Sequence, residues 1–389
     1  MKLAIITSHP IQYNAPFFRK LAQLTDLDVN VFYTWSQSEK TVHDPGFGQT
    51  RSWDIPLFEG YDFTFVPNNA KRPGSHHFWG IQNPSLNKQV ELFQPDVLLV
   101  YGWSFYSHLK LMRYFKGKIP VWFRGDSNLL DEPAGFSWKK YLRRLVLKWV
   151  YSYVDKAFYV GQANRNYYLK HGIKPEQLIF APHAIDNQRF LIHSNTCEVE
   201  VQQWRAHLGI PIESVAFLFV GKLEPKKNPL DLVQVFQSLP NDAYLIFVGD
   251  GVEKEVLQKH AQNNNKIIFL GFQNQSLMPV VYRLGNVLIL PSRGPGETWG
   301  LAVNEAFACA RPAIVSSKVG CSQDLIVSEE TGWVFNLEQK DGLAIVLSQA
   351  YAQGITGLAQ MGKKAQQMIK DWNYDQFVQA IHKALIHEN

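Results

Sequence analysis

The chain has 389 residues, of which 46% are hydrophobic and 19% charged, and a formal net charge of +5. That length exceeds what one hydrophobic core usually serves, so two domains are expected, and the ordinary balance of apolar and charged residues excludes extensive disorder. Three scattered cysteines, Cys197, Cys309 and Cys321, exclude a disulfide framework and a zinc pattern, and no run approaches ~18 apolar residues, which excludes a spanning helix.

The opening MKLAIITSHP carries one lysine and a short apolar run ended by polar residues and proline. It reads as a first strand rather than a signal peptide. Strands are expected at Leu3–Thr7, Val29–Tyr33, Val97–Tyr101, Ile119–Phe123, Ala157–Val160 and Leu178–Ala181. A polar stretch follows, with a linker expected near 187–212. A second series then runs through Val215–Val220, Ala243–Val248, Lys266–Leu270, Val287–Leu290 and Ala313–Ser316, separated by helices such as Pro229–Ser238 and Val252–Gln262. Alternating strands and helices imply parallel sheets covered on both faces. The expected class is α/β, with two doubly wound Rossmann-like domains at 1–190 and 191–370. Residues 371–389 are expected to form a C-terminal helix that crosses back to the first domain.

In open parallel sheets, ligands bind beyond the C-terminal ends of the strands. After Leu290 comes PSRGPGETWGLAVNEAFACARP, a Gly/Pro turn leading into a helix apolar on every side. Amides around Thr298, Trp299, Gly300 and Leu301 are expected at its start, where the lack of intrahelical partners makes an anion site. Glu297 stands at the mouth and Glu305 about two turns in. A carboxylate beside a phosphate would repel it, so these acids suit neutral hydroxyls. A diphosphate for the amides and sugar hydroxyls for the acids together describe a sugar nucleotide. The competing reading makes Glu297 a helix-start acid favoured by the dipole. Glu305 has no polar helix face on which to be solvated. After Val220, VGKLEPKKN brings Lys222, Lys226 and Lys227 to the ligand edge of the second sheet. There fixed cations would stabilise a departing diphosphate, or simply form a lysine-rich surface loop.

GPGETWGLAVNEAFACARPAIVSSKVGCSQDLI, with EETGWVF, FLFVGKLEPKKNPLDLVQVF, LIFVGDGVEKEVLQ and FAPHAIDNQRF, resembles the donor half of GT-B glycosyltransferases, in particular the large retaining family four. The resemblance is close from Phe180 to Phe335 and holds only in outline before that. It implies two Rossmann-like domains facing across a cleft, with 1–190 binding the acceptor and 191–370 the nucleotide-sugar donor. It implies that Glu305 holds the ribose hydroxyls and Glu297 the transferred sugar, helped by Thr298, Trp299, Gly300 and Leu301. Lys222 and Lys227 fall on the diphosphate. Lys222 stands where the family usually has Arg, which keeps the charge and loses the bidentate fork. His183-Ala184 stands where the family often has Asn-Gly. Retaining transfer by same-face attack, with the leaving phosphate assisting deprotonation, is likewise implied. A UDP-sugar is the first expectation for the donor and a GDP-sugar the next. The acceptor is expected to be a glycan, a glycolipid or a small molecule. No cofactor and no metal are expected: Asp26-Leu27-Asp28, the one Asp-x-Asp, precedes its strand and reads as a turn.

The N-terminal half carries the acceptor and phosphate-side candidates: His9 and Asn14 after the first strand, His108 after VYGWSFYS, and Arg124 and Asp126 in PVWFRGDSNLLDE. Asp126 is the candidate to accept the acceptor's proton or to hold a sugar hydroxyl, in competition with a turn-forming role. Trp35, Trp53, Tyr61, Phe63, Phe65, His76, His77, Phe78 and Trp79 supply aromatic faces suited to sugar rings or to a core. From Trp138 to Lys174 nine Lys/Arg face the single acid Asp155. In SWKKYLRRLVLKWVYSYV an apolar stripe of Trp138, Tyr141, Leu142, Leu145, Trp149 and Tyr153 either packs on the sheet or rests on an anionic membrane. No nucleic-acid module accompanies the charge. The site expected is cytoplasmic, or peripheral on the inner membrane face. Two other functions fit the pattern: a GT-B-shaped sugar-nucleotide epimerase, and a non-catalytic nucleotide- or sugar-binding relative. A dehydrogenase reading rests on Gly249 and Gly251 alone, with Lys254 where the third glycine would stand.

Overall fold

The structure is a computed structural model that describes residues 1–386 apart from 36–41, 45–48, 52–53, 134, 136, 192–193 and 263. Trp53, one of the aromatic candidates, lies outside the described residues. The chain divides into two compact units. One holds Met1–Val42, Ile55–Pro182 and Tyr374–Asn389; the other holds His43–Asp54 and His183–Asn373. No helix among the described residues is long and apolar enough to cross a membrane.

The first unit is built on a seven-stranded sheet whose strands run, edge to edge, 62–65, 28–33, 2–7, 97–101, 121–124, 156–159 and 178–180. Every pairing is parallel; Leu3, for example, sits between Val29 and Val97. Leu3, Ala4, Ile5 and Ile6 are wholly buried, because a parallel strand is covered on both faces. The edge strand 62–65 was not expected, since its residues are half or fully exposed and so lack an apolar run. Its phenylalanines belong to an aromatic cluster. Phe63 and Phe65 cluster with Tyr33, Phe58 and Tyr61 at ring separations of 5.2–6.2 Å.

The C-terminal helix Tyr374–Ile386 belongs to this first unit. Phe377 stacks on Phe17 with ring centroids 3.7 Å apart and planes within 6°. The Tyr374 hydroxyl donates to the Tyr13 carbonyl (2.9 Å), and His382 Nε2 meets Asp26 at 2.8 Å. The basic helix Trp138–Tyr151 buries only Leu147, Val150 and Tyr151. Of the two readings of its apolar stripe, packing on the sheet does not hold for most of it: Trp138, Tyr141, Leu142, Leu145 and Trp149 are exposed, and only Tyr153 packs against the core.

The second unit has a six-stranded parallel sheet in the order 267–269, 244–248, 216–220, 287–290, 313–316, 332–335. Counted within the unit this is 3-2-1-4-5-6, the doubly wound order whose switch point lies between its first and fourth strands. Phe217, Phe219, Leu245, Phe247 and Ile289 fill its core, and Phe247 stacks on Phe269 at 5.1 Å. The segment expected as a linker is helical, at Asn187–Leu191 and Ser194–His207. The longer helix buries Cys197, Val201 and Arg205, one residue per turn. Because that stripe ends in an arginine, no apolar period marks it in the sequence.

Gly249 and Gly251 are accounted for by close packing. A Cβ on Gly249 would lie 2.0 Å from the Gly221 carbonyl oxygen, and one on Gly251 would lie 2.4 Å from that of Leu223. Both have positive φ, +139° and +158°.

Candidate functional site

At the switch point of the second sheet, the loops after strands 216–220 and 287–290 converge. Pro225–Lys227 forms one 3-10 turn, closed by Asn228 in the left-handed region (φ 57°) and followed by helix Pro229–Phe236. The turn sends Lys227 Nζ onto Glu297 Oε2. Ser292, which follows the fourth strand, donates to the same oxygen at 2.8 Å. Ser316, at the end of the next strand, donates to the Ser292 carbonyl. Groups following two neighbouring strands thus meet at one carboxylate, and the next strand holds the Ser292 backbone behind it, at the edge where ligands of such sheets bind. The side chains of Lys227 and Glu297 keep only 19% and 11% of their accessible surface, so each supplies the charge the other needs out of water.

Glycines hold the turn closed around this pair. Gly320 N donates to the Glu297 carbonyl (3.1 Å), and Cys321 N donates to that of Trp299 (2.9 Å). A Cβ on Gly320 would stand 1.7 Å from the Thr298 carbonyl oxygen. Gly300, at φ 97°, is the N-cap, and the helix runs Leu301–Ala308. The orphan amides of its first turn therefore begin at Leu301. Thr298, Trp299 and Gly300 lie before the helix, not in it. The Trp299 ring is a core group: its Nε1 donates to Asn304 Oδ1 (2.8 Å), and the ring lies 5.1 Å from that of Trp372.

Glu305 is 3% exposed, a buried acid as the apolar helix demanded. Tyr282 donates to its Oε2 at 2.5 Å. Neither Tyr282 nor the two serines was anticipated. Ser292 and Ser316 carried a usable signal, because each closes a strand at the ligand edge. Tyr282 carried none, sitting in the apolar helix Met278–Leu284. Lys222 is half-buried just beyond strand 216–220. Lys226 turns to Glu224 (3.2 Å) and Lys254 to Asp250 (3.2 Å). Burial pushes the thiol of Cys309 up to about 12, raises that of Cys197 and lifts that of Cys321 well above its ordinary value. All three cysteines are therefore neutral packing groups rather than nucleophiles.

In the first unit two candidates turn out to be committed to the protein's own backbone. His108 is fully buried, with Nδ1 2.8 Å from the Gly102 carbonyl and Nε2 2.9 Å from Thr34 Oγ1. A carbonyl only accepts, so Nδ1 carries the proton and Nε2 is the acceptor. Burial pushes its pKa down to about 4. Arg124, 5% exposed, donates to the carbonyls of Ala181 (3.0 Å) and Pro182 (3.2 Å) and lies 3.8 Å from the Phe377 ring. Its guanidinium ties strand 121–124 to the end of the sheet and so does not reach outward as a phosphate-side group. Both corrections have one cause: each residue sits close to a strand end but points into the unit.

His9 keeps partial exposure, touches Ser8 Oγ (3.0 Å) and meets the Trp35 ring edge-on, and burial lowers its pKa. Asn14 occupies the N-cap position of helix Ala15–Ala22 without a side-chain cap bond. Asp126 is half-buried beyond strand 121–124. It is followed by Ser127, whose carbonyl accepts from Asn164 (2.7 Å), and by Asn128, which caps the Leu130 amide in a local turn. Asp26 and Asp28 lie at the opposite, N-terminal edge of the strands. No group of three or more His, Cys, Asp or Glu side chains that could hold a metal occurs among the described residues.

Residues 200–382 match the family described as Glycosyl transferases group 1. Among curated proteins the chain is 24% identical, over 286 residues, to the UDP-Gal:alpha-D-GlcNAc-diphosphoundecaprenol alpha-1,3-galactosyltransferase of Escherichia coli, covering 66% of this chain and 71% of that one. Among solved structures it is similar to Anabaena HepE in complex with UDP and glucose, with a TM-score of 0.72 at 16% identity over the whole of both chains. It is similar also to sucrose-phosphate synthase from Thermosynechococcus elongatus, with a TM-score of 0.74 at 19% identity over 100% of this chain and 98% of that one. Residues 200–382 therefore match the group 1 glycosyl transferases, and the chain has the GT-B fold of these solved structures.

Proposed function

We propose that the chain moves a hexose-type sugar, with retention and without a metal, from a nucleotide-diphosphate donor to a glycan, glycolipid or small-molecule acceptor. A UDP-sugar is the first choice of donor and a GDP-sugar the second. The observation that carries the reading is the Lys227–Glu297–Ser292 cluster at the switch point of the second sheet, with Glu305 buried in the helix behind it. In this reading Lys227 offsets the charge that a nucleoside diphosphate gains as it leaves, with Lys222 and the amides from Leu301 assisting. Glu297 accepts from hydroxyls of the transferred sugar, and Ser292 orients its carboxylate. Glu305 accepts from the ribose hydroxyls, held in position by Tyr282. Asp126 is the first unit's candidate to accept the proton of the attacking hydroxyl or to hold a sugar hydroxyl. His9 and Asn14 are its candidates for the phosphate side.

The E. coli relative acts from a UDP-sugar on a diphosphoundecaprenol-linked sugar, which supports UDP and a lipid-linked acceptor here. The test is a transfer assay with UDP- and GDP-sugars, with and without an acceptor pool, in chelator and in magnesium, reading the anomeric configuration of the product. Acceptor-dependent transfer with retention in chelator is expected. Donor conversion without acceptor would instead identify an epimerase, and activity abolished by chelator and restored by magnesium would overturn the metal-free reading.

A further inference from the structure

Helix Trp138–Tyr151 turns its apolar side away from the protein. At about 100° per residue, Leu147, Val150 and Tyr151, all buried, mark its inner face. Trp138, Tyr141, Leu142, Leu145, Val146 and Trp149 fall together on the opposite side, within an arc of about 140°. All six are exposed, Trp138 to 70% and Leu142 to 60%. A soluble surface helix shows the reverse arrangement, with apolar residues inward and charged residues outward. Exposed apolar residues are ordinary when scattered, but six on one face form a patch that marks an interaction surface.

The charges frame that patch. Lys139 and Arg143 flank one side of it and Lys148 the other, and all three are exposed. The neighbouring helix Tyr106–Phe115 adds Arg113, whose guanidinium lies 5.6 Å from the Trp149 ring. The helix carries no acid. Its remaining cations are paired within the unit: Arg144 with Glu132 at 2.7 Å, and Lys140 with the Gly135 carbonyl at 2.8 Å. An apolar strip with a tryptophan near each end and cations along both margins fits one partner chemistry. The strip enters the acyl boundary, the indoles sit at the headgroup level, and the cations meet anionic headgroups. A second copy of the same face would bring like charges together.

We propose that this helix is a membrane-surface anchor that lies in the plane of an anionic bilayer. The proposal concerns the first unit alone and is independent of the donor site in the second. The full-length protein is co-sedimented with vesicles of phosphatidylglycerol and phosphatidylcholine in equal parts, and with vesicles of phosphatidylcholine alone. Wild type should be recovered preferentially on the anionic vesicles and released by high salt. At about 1 kcal/mol per cation, the combined Lys139→Gln, Arg143→Gln, Lys148→Gln variant should bind on the order of 10²-fold more weakly. Leu142→Ser with Leu145→Ser should weaken binding about tenfold or more, with the helical circular dichroism unchanged.

Lys259→Gln, Lys340→Gln, Lys370→Gln removes the same net charge from exposed positions of the second unit and should bind like wild type. Equal, salt-insensitive recovery of wild type and variants on both vesicles would overturn the proposal. So would a self-association in solution that the leucine variant abolishes while vesicle binding is absent.

Discussion

Lys227 and Glu297 lie seventy residues apart in the chain and meet because two adjacent strands deliver their loops to one point. The pair is ready to be shared: a diphosphate can take the ammonium while a sugar hydroxyl takes the carboxylate. Lys227→Ala should lower turnover on the order of 10²–10³-fold, the loss typical of one strong transition-state donor. Lys254→Ala, which removes only the bond to Asp250, should stay within about twofold. Steady-state rates of both variants check this; equal losses would mean that charge alone, not position, matters.

His108 gives a prediction at the same scale. Its proton affinity is ordinary in the unfolded chain (6.5) and depressed to about 4 in the fold. Between those values the unfolded state binds a proton that the native state refuses, so stability is full above pH 6.5 and falls as the pH drops toward 4. The loss from this one group amounts to ~3 kcal/mol. Urea unfolding across that window should show a weaker pH dependence in His108→Gln than in wild type. Identical slopes would show that the buried imidazole is not the titrating group.

At the scale of elements, the loop 291–300 and the turn at Gly320 are fitted backbone to backbone. Gly320→Ala places a methyl on the Thr298 carbonyl, so the turn carrying Glu297 must shift. Nucleotide affinity should fall at least tenfold, since a displaced positioning group is costly. Gly271→Ala, with nothing within 4 Å of the new carbon, should bind as wild type does. Calorimetric titration of the two variants checks it, and equal affinity would mean that the close approach is dispensable. The same scale shows what was legible. The buried strands announced themselves as continuous apolar runs, and Glu305 stood out because its helix offers no polar face. The edge strand 62–65 and the helix 194–207 did not, since one is largely exposed and the other buries an arginine in its stripe. His108 and Arg124 were placed correctly near strand ends, but a strand-end position does not say which way a long side chain turns. Tyr282 was invisible because its partner, Glu305, is distant in sequence.

At the scale of the whole molecule, the first unit is assembled from three chain segments, and its last helix is held by Phe377 between Phe17 and Arg124. Phe377→Ala should destabilise the unit by about 3–5 kcal/mol, because a nearly buried ring leaves a cavity and uncovers a buried cation. Thermal unfolding reads this directly; a change under ~1 kcal/mol would mean that the helix is held instead by its exposed pairs, Lys20 with Asp375 and His382 with Asp26. Charge is also distributed at this scale: the excess of cations concentrates in the stretch 138–174 of the first unit, while the nucleotide reading belongs to the second. Variants of the basic helix are therefore expected to leave nucleotide affinity intact.

The central claim is that the buried acid in helix Leu301–Ala308 reads the ribose of a nucleoside diphosphate. Isothermal titration of UDP and of GDP into wild type and Glu305→Ala tests it most directly. Wild type should bind one of the two, and Glu305→Ala should bind that nucleotide on the order of tenfold or more weakly, as expected when a charged hydrogen-bond acceptor is removed. Equal affinity of the variant and wild type, or failure of wild type to bind either nucleotide, would contradict the account.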